Sequence, residues 1–440
     1  MNKAFMTTLC MLVGTVAMVA QNPIISGQFT ADPTARVFGD KVYVYPSHDI
    51  ISPTEPERRW FCMEDYHVFS SSDLCEWTDE GEILNQEAVP WGNPKGFAMW
   101  APDCVENNGT YYFYFPDAPK QGFGFGVGIA TAKSPTGPFT PEPNPMAGVR
   151  GIDPCVMQTN SGDAYIFWGG GSLSVAKLKP NMLEIEGEPQ RINTLPSGFV
   201  EGPFAFEHNG HYYLTYPWVR KEGGTETLAY AMSDSPMGPF EYKGLIMEES
   251  PTGCWTNHHS IVEYKGQWYL FYHHNDYSPT FDKNRSVCVD SLFFNPDGTI
   301  QLVKPTKRGV GISNAHKPIQ LDRYSDIGGG AYIEYHDTLR CFDGWKTVMP
   351  EAGSWVQYNR VRVENNPQGN KQLVVCYKSD SSTKATINLS ATYKATLKLP
   401  ATGGQWKQLT LKVKDIPSGV YDIKFTANGK IEVDWVKIGS

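Results

Sequence analysis

The sequence predicts an all-β protein: a five-bladed β-propeller followed by a smaller, jelly-roll-like β-sandwich. Three observations predict it. A Gly-containing turn followed by an aromatic-rich strand occurs five times. A second hairpin follows each copy. At four of the five copies a carboxylate or histidine stands at nearly the same distance before the strand.

Internal repeats spaced by tens of residues take precedence over finer signals. The copies are Gly39-Asp40-Lys41-Val42-Tyr43-Val44-Tyr45, Asn108-Gly109-Thr110-Tyr111-Tyr112-Phe113-Tyr114, Ser161-Gly162-Asp163-Ala164-Tyr165-Ile166-Phe167, Asn209-Gly210-His211-Tyr212-Tyr213-Leu214-Thr215 and Lys265-Gly266-Gln267-Trp268-Tyr269-Leu270-Phe271. Their anchors Tyr43, Tyr112, Tyr165, Tyr213 and Tyr269 are 69, 53, 48 and 56 residues apart. Outer strands fill each interval, as in Val127-Gly128-Ile129-Ala130-Thr131 and Leu228-Ala229-Tyr230-Ala231-Met232. Two intervals share a turn, Ser134-Pro135-Thr136-Gly137-Pro138-Phe139 and Ser235-Pro236-Met237-Gly238-Pro239-Phe240. Gly supplies unusual φ there and Pro pre-sets it. Four short strands per unit is the propeller-blade pattern. The alternative is an irregular sandwich whose hairpins resemble one another by chance.

The propeller is expected over residues 21–322. The glycine-rich phrase Arg323-Tyr324-Ser325-Asp326-Ile327-Gly328-Gly329-Gly330 reads as a linker, residues 323–330. Beyond it, over 331–440, the five-fold pattern stops. Short alternating segments such as Ile423-Lys424-Phe425-Thr426 suggest the sandwich.

Residues 1–20 read as a signal peptide, with Lys3 at its start and an apolar run from Leu9 to Ala20. The expected location is secreted or periplasmic, with no membrane span. The formal charge of −9 argues against nucleic acid or an anionic membrane as partner. Of nine Cys, eight follow Cys10, too few for a disulfide framework in a chain of 440 residues. Cys62 and Cys75 could pair or stay free. Cys104 and Cys155, inside apolar strands, read as buried thiols.

The polar residue before each repeat carries the chemistry. Asp32 and His258 lie 11 residues before their anchors, and Asp153 and Glu201 lie 12 before theirs. In a propeller such positions meet at one axis. Paired carboxyls across a sugar-sized gap are the minimal tool for glycosidic cleavage: one stays protonated and donates, the other stays ionised. Crowded, partly buried acids separate into those two states. The blander reading makes Asp32-Pro33 and Asp153-Pro154 turn formers, and His258 or His259 structural. In the second copy Trp100 takes the acid's place. Its ring could stack on a sugar face or fill the core.

These same phrases resemble glycoside hydrolase family 43 over roughly residues 22–322: Ala31-Asp32-Pro33, Trp100-Ala101-Pro102-Asp103, Ile152-Asp153-Pro154, Glu201-Gly202-Pro203, Asn257-His258-His259-Ser260 and Arg285-Ser286-Val287-Cys288-Val289-Asp290. The resemblance implies an inverting glycosidase with Asp32 as general base, Glu201 as general acid and Asp153 as the group that orients Glu201 and holds its proton. It implies that Arg285 reaches the sugar, and that His258 or His259 stands by an axial calcium or its waters. No cofactor is required for the chemistry. The implied substrates are β-xylosides or α-L-arabinofuranosides in plant oligo- or polysaccharides. An exo-β-galactanase and a non-catalytic glycan binder are the alternatives.

Residues 330–440 resemble carbohydrate-binding module family 6, on Gly353-Ser354-Trp355-Val356-Gln357-Tyr358-Asn359, Leu399-Pro400-Ala401-Thr402-Gly403-Gly404 and Val433-Asp434-Trp435. One position departs: Glu432 stands where that family usually places Asn.

Overall fold

The computed structural model describes residues 21–170, 172–278, 280–336, 344–389 and 393–439. The expected signal peptide lies outside them. The described chain is built of strands, with one 3-10 turn at Gln86–Ala88.

Five antiparallel sheets come first, each from consecutive strands. The first holds β1 (Thr30–Phe38), β2 (Lys41–His48), β3 (Asp65–Ser71) and β4 (Thr78–Asn85). The second holds β5 (Asp103–Asn107), β6 (Thr110–Asp117), β7 (Gly126–Ala132) and β8 (Thr140–Pro141). The third holds β9 (Ile152–Gln158), β10 (Ala164–Gly169), β11 (Ser174–Leu178) and β12 (Ile185–Arg191). The fourth holds β13 (Phe204–His208), β14 (His211–Trp218), β15 (Thr227–Ser233) and β16 (Glu241–Met247). The fifth has three strands, β17 (His259–Tyr264), β18 (Gln267–His274) and β19 (Ser286–Leu292).

The repeated turn explains the repeated hairpin. Asn108-Gly109, Asn209-Gly210 and Lys265-Gly266 all have positive φ at both residues, from 50° to 79°. Two left-handed residues make the turn whose twist matches two paired strands. Pairing is tight around each, as in Asn107↔Thr110 and His208↔His211.

The five sheets are tied one to the next by side chains. Thr34 Oγ1 donates to Pro102 O at 2.7 Å, and Val156 N–H donates to Asp103 Oδ2 at 2.6 Å. Ala205 N–H points to Cys155 Sγ at 3.4 Å, and His259 Nε2 meets Thr215 Oγ1 at 2.6 Å. Ala35 N–H then donates to Ser260 Oγ at 2.8 Å, which links the fifth sheet back to the first. The segment before β1 runs along β19, with Ile24 N–H on Val287 O at 2.9 Å and Asn22 Oδ1 accepting from Val289 N–H. Buried apolar clusters lie between neighbouring sheets. One joins Tyr45, Tyr66 and Met63 to Phe113 and Phe115.

Two six-stranded sheets follow. Trp355–Val363 pairs with Gly419–Ala427 in one, and Gln372–Lys378 pairs with Ile431–Ile438 in the other. Tyr358, Ile387 and Phe425 from the first and Val375, Val433 and Val436 from the second share one buried cluster, so the unit is a β-sandwich. It draws in residues ahead of the expected linker. Ser313–Asn314 pairs with Val361–Arg362, and Ile319–Gln320 pairs with Trp435–Val436. The linker phrase itself contains a strand, Asp326–Gly328. Its Gly-rich composition signals turns at Gly329 and Gly330, both at positive φ, rather than a spacer. Cys62 and Cys75 are both free thiols, and Cys104 and Cys155 are free and buried.

Candidate active site

Strand pairing refines the register read from the repeat. Thr34, Asp103, Cys155, Phe204 and Ser260 occupy matching rungs, opposite Tyr45, Tyr114, Phe167, Thr215 and Phe271. Two residues earlier stand Asp32, Ala101, Asp153, Gly202 and His258. Asp32, Asp153 and Gly202 share a left-handed φ of 49°, 57° and 49°, and each precedes proline. Asp tolerates that conformation better than most residues with a Cβ. Glu201 therefore sits one residue ahead of the ring position, and Trp100 shares its place. The equal distance of Asp153 and Glu201 from their anchors is a coincidence of turn length. The third hairpin pairs Gln158 with Ala164 across a longer loop, whereas the fourth pairs His208 with His211.

The six residues singled out from sequence nevertheless meet. Asp32, Asp153, Glu201, Trp100, His258 and Arg285 line one cavity of about 210 Å³. Trp60, Phe61, Phe199 and Trp255 complete its wall. Trp100 faces the cavity while its ring rests on Phe125, centroids 4.6 Å apart, so it is both a wall residue and a packed one.

Asp32 is 5 % exposed. Arg285 Nη1 donates to its Oδ1 at 3.0 Å and Nη2 to its Oδ2 at 3.4 Å. Ser47 Oγ donates to Oδ2 at 2.7 Å. Burial alone would raise this carboxyl, but Arg285, His273, His258 and Ser47 outweigh it and bring it down to about 2. Its backbone N–H donates to His273 Nδ1 at 2.9 Å, and His273 Nε2 is turned to the Thr256 carbonyl. Burial and Arg285 keep His273 neutral, down to about 3.

Glu201 and Asp153 are held the other way. Burial first, then Glu226 and Asp32, push Glu201 well above the usual carboxyl range. Burial, Glu201 and Asp32 do the same to Asp153, against the N–H of Gly202, which it accepts at 3.1 Å. One cavity thus contains an ionised carboxylate and protonated carboxyls, the division that acid–base cleavage requires.

Sequence reasoning missed several participants. Asp49 accepts from Arg285 Nε at 2.9 Å and Nη2 at 2.8 Å. Thr256 Oγ1 accepts from Nη1 at 3.0 Å. With Asp32, these partners engage all five guanidinium N–H groups. Glu226 is fully buried, accepts the Asn257 N–H at 2.6 Å and acts electrostatically on Glu201. None carries a repeat signal: Asp49 follows β2, and Glu226 precedes β15, outside the leading strands that the repeat highlights. Asp103, on the rung opposite Tyr114, clamps Arg36 in a two-pronged pair at 2.9 and 2.6 Å. His259 lies buried against Thr215 and does not line the cavity.

Calcium asks for six to eight oxygen ligands. Among the described residues no three His, Cys, Asp or Glu side chains converge to hold a metal. His258 Nδ1 stands 3.8 Å from Asp32 Oδ1, and that carboxylate already faces Arg285.

Gly202 leaves little room. A Cβ there would lie 3.0 Å from Pro217 and 3.3 Å from the His258 ring, at a φ of +49°. Gly202→Ala is expected to cost about 1–2 kcal/mol from backbone strain alone. It should lower both the melting temperature and kcat, because its neighbours Glu201 and His258 shift with it. Thermal melts and steady-state rates check this.

A family model described as "Glycosyl hydrolases family 43" matches residues 20–300. A second, "Carbohydrate binding module (family 35)", matches residues 331–438. The second corrects the family 6 resemblance. The phrases that suggested it are short strand segments common to a sandwich, and its one departure, Glu432, is bonded here to Lys346 at 2.8 Å and Lys378 at 3.0 Å. Xylosidase/arabinosidase 43A of Humicola insolens is 36% identical over 334 residues, 64% of this chain and 99% of that protein. The arabinoxylan arabinofuranohydrolase of Bacillus subtilis is 27% identical over 93% of this chain and 89% of its own length. A β-xylosidase/α-arabinofuranosidase from a compost metagenome, solved with xylotriose in a calcium-free form, superposes with a TM-score of 0.59 at 34% identity, covering 66% of this chain and 98% of that one. A family 43 enzyme of Xanthomonas citri, solved with xylose, gives 0.58 at 32% identity, covering 67% and 96%. With the family match spanning more than half its length, the chain belongs to glycosyl hydrolase family 43 and is a glycoside hydrolase joined to a carbohydrate-binding module.

Proposed function

We propose that this protein is a secreted or periplasmic, inverting glycosidase that removes β-xylosyl or α-L-arabinofuranosyl units from plant glycans. The observation that carries the mechanism is the placement of the two carboxyls in one cavity, Asp32 ion-paired with Arg285 at 3.0 Å and Glu201 buried among other acids. The five sheets are read as the blades of a five-bladed propeller, supported by the side-chain bonds that run from each sheet to the next and from the fifth back to the first. The location rests on residues 1–20.

In this reading Glu201 protonates the departing oxygen. Asp32, ionised, draws a proton from water on the opposite face of the ring. A carboxylate held so low is a weak base. That suffices when bond breaking leads and the sugar carries oxocarbenium character, since water then needs little help. Asp153 binds the Gly202 N–H and so fixes the peptide that follows Glu201. Arg285, its N–H groups engaged, holds Asp32 in place rather than grasping the sugar. No step calls for a metal. The aromatic wall suits the C–H face of a pentose, and the cavity is smaller than the ~300–1,000 Å³ of drug-sized sites. The substrate class is supported by the xylosidase and arabinosidase relatives and by the xylose and xylotriose bound in the neighbours.

The test is a product analysis. On an aryl β-xyloside, whose only sugar product comes from the cleaved bond, proton NMR during the first turnovers should show α-xylose before mutarotation, and an aryl glycoside panel should be cleaved fastest as xyloside or arabinofuranoside. First-formed β-xylose would end the inverting mechanism, and preference for a galactoside would end the substrate assignment.

A further inference from the structure

Tyr277 has no surface exposure, although it sits in the connection between β18 and β19. Connections usually run over the surface, so what covers this ring matters. Trp345 meets it edge to face, with centroids 5.3 Å apart. Arg323 lies over it, the guanidinium carbon 3.6 Å from the ring centroid. The Asp322 carbonyl accepts from the tyrosine hydroxyl at 3.0 Å. Trp345 opens the strand Trp345–Met349 of the sandwich, where Thr347 pairs with Val433 and Met349 with Ile431. Its own ring is buried and packs on Tyr335, centroids 5.3 Å apart. The module is thus seated on a connection of the fifth sheet.

The same connection reaches the catalytic cavity by two routes. Thr252 Oγ1 donates to Asn275 Oδ1 at 2.7 Å and to Asp276 Oδ1 at 2.9 Å. Thr252 stands three residues before Trp255, which lines the cavity. Nearer β19, Arg59 donates to Thr280 O at 3.1 Å and to Asp282 Oδ1 at 3.0 Å, and it lies over the Phe281 ring. Trp60 and Phe61, the next two residues after Arg59, line the cavity. Lys283 and Arg285 both lie over Phe61, 5.2 and 4.9 Å from its centroid. Each of these contacts is modest alone. Together they place the aromatic wall relative to the connection, and the connection relative to Tyr277.

We propose that Trp345 is a positioning residue for the catalytic cavity: the carbohydrate-binding module holds Tyr277, and residues 275–278 and 280–285 pass that hold to the wall formed by Trp60, Phe61 and Trp255. This rests on the cavity being the active site. Trp345 does not line the cavity and acts through Tyr277. The module then serves catalysis whether or not it holds a glycan. Wall rings grip the sugar alike before and during bond cleavage, so their displacement raises KM and spares kcat.

Trp345→Leu in the full chain should raise KM for an aryl β-xyloside about three- to tenfold, with kcat within about twofold of wild type. Trp345→Phe keeps a ring against Tyr277 and should restore most of the loss. Tyr277→Leu should raise KM by a similar factor, and the double variant no further, because either change alone breaks the one contact. A purely structural role would lower the melting temperature and leave KM, a property of the folded fraction, where it was. Unchanged KM in Trp345→Leu overturns the proposal, and so do single losses that multiply in the double variant. Should the Leu variants not fold, hydrogen exchange of the intact wild-type protein decides. Coupling between two sites is reciprocal. Xylose, or whichever sugar the protein releases, should at saturation slow amide exchange at Trp345–Met349 as well as at the wall, and protection confined to the wall removes the coupling. The variants are read on the aryl glycoside that wild type cleaves fastest, so a wrong sugar assignment changes the substrate and not the comparison. Full activity in Asp32→Asn would dismiss the cavity as the active site, whatever Trp345 does.

Discussion

Glu201→Gln is expected to lower kcat/KM on xylobiose by about 10²–10⁴-fold. The amide has the volume of the acid and no proton to give to the leaving oxygen. An aryl glycoside whose phenolate departs unaided should lose much less, because its leaving group does not wait for a proton. Asp32→Asn should show no such rescue, since attack by water is needed with either leaving group. Parallel rates of the two variants on both substrates would check the division of labour. Equal losses for Glu201→Gln on both would mean that Glu201 supports the site without donating. The split follows from the opposite electrostatic settings of the two groups: Asp32 faces a guanidinium, whereas Glu201 faces other acids.

Arg285→Met is expected to destabilise the fold by about 3–5 kcal/mol. Arg285 is 1 % exposed and forms ion pairs with Asp32 at 3.0 Å and Asp49 at 2.8 Å, so its loss strands two buried carboxylates. Arg285→Lys should recover only part, because an ammonium cannot span both partners as a planar fork does. The pH dependence separates charge loss from cavity formation. In the wild type Asp32 is depressed from 3.8 to about 2. Its contribution, about 2 kcal/mol, is present above pH ~4 and is lost as pH falls towards ~2. Without Arg285, burial should dominate, reversing the depression of Asp32 and lifting Asp49, which burial already raises, further, so acid should narrow the deficit of the variant. Chemical denaturation at neutral and mildly acid pH measures this. A deficit that does not change with pH would point to lost packing alone.

Three of the five hairpins were legible because their turns need left-handed residues, and Asn-Gly and Lys-Gly announce them; Gly39 and Gly162 mark the other two. The acids were legible because Asp32 and Asp153 precede proline at matched places on leading strands. Glu201 was found by a near-equality of spacing that a longer third hairpin produced. Its actual position is one residue off the ring, beside Gly202, and only strand pairing shows that. Asp49 and Glu226 escaped notice because they come from strand ends outside the repeated phrase, and their function depends on partners more than two hundred and some thirty residues away, respectively. Ser313–Asn314 and Ile319–Gln320, which join the sandwich sheets from ahead of residue 323, gave no signal for a related reason: they are two-residue strands, too short to show alternation.

The saturated guanidinium of Arg285 has a consequence for recognition. Its positive charge is matched at contact distance by two fixed negative ones, and the remaining acids near it favour their neutral forms. A neutral sugar entering this hollow meets rings, hydroxyls and amides rather than an unbalanced field. Ionic strength should therefore barely alter KM for an uncharged pentoside, and discrimination between sugars should follow ring shape and hydroxyl stereochemistry.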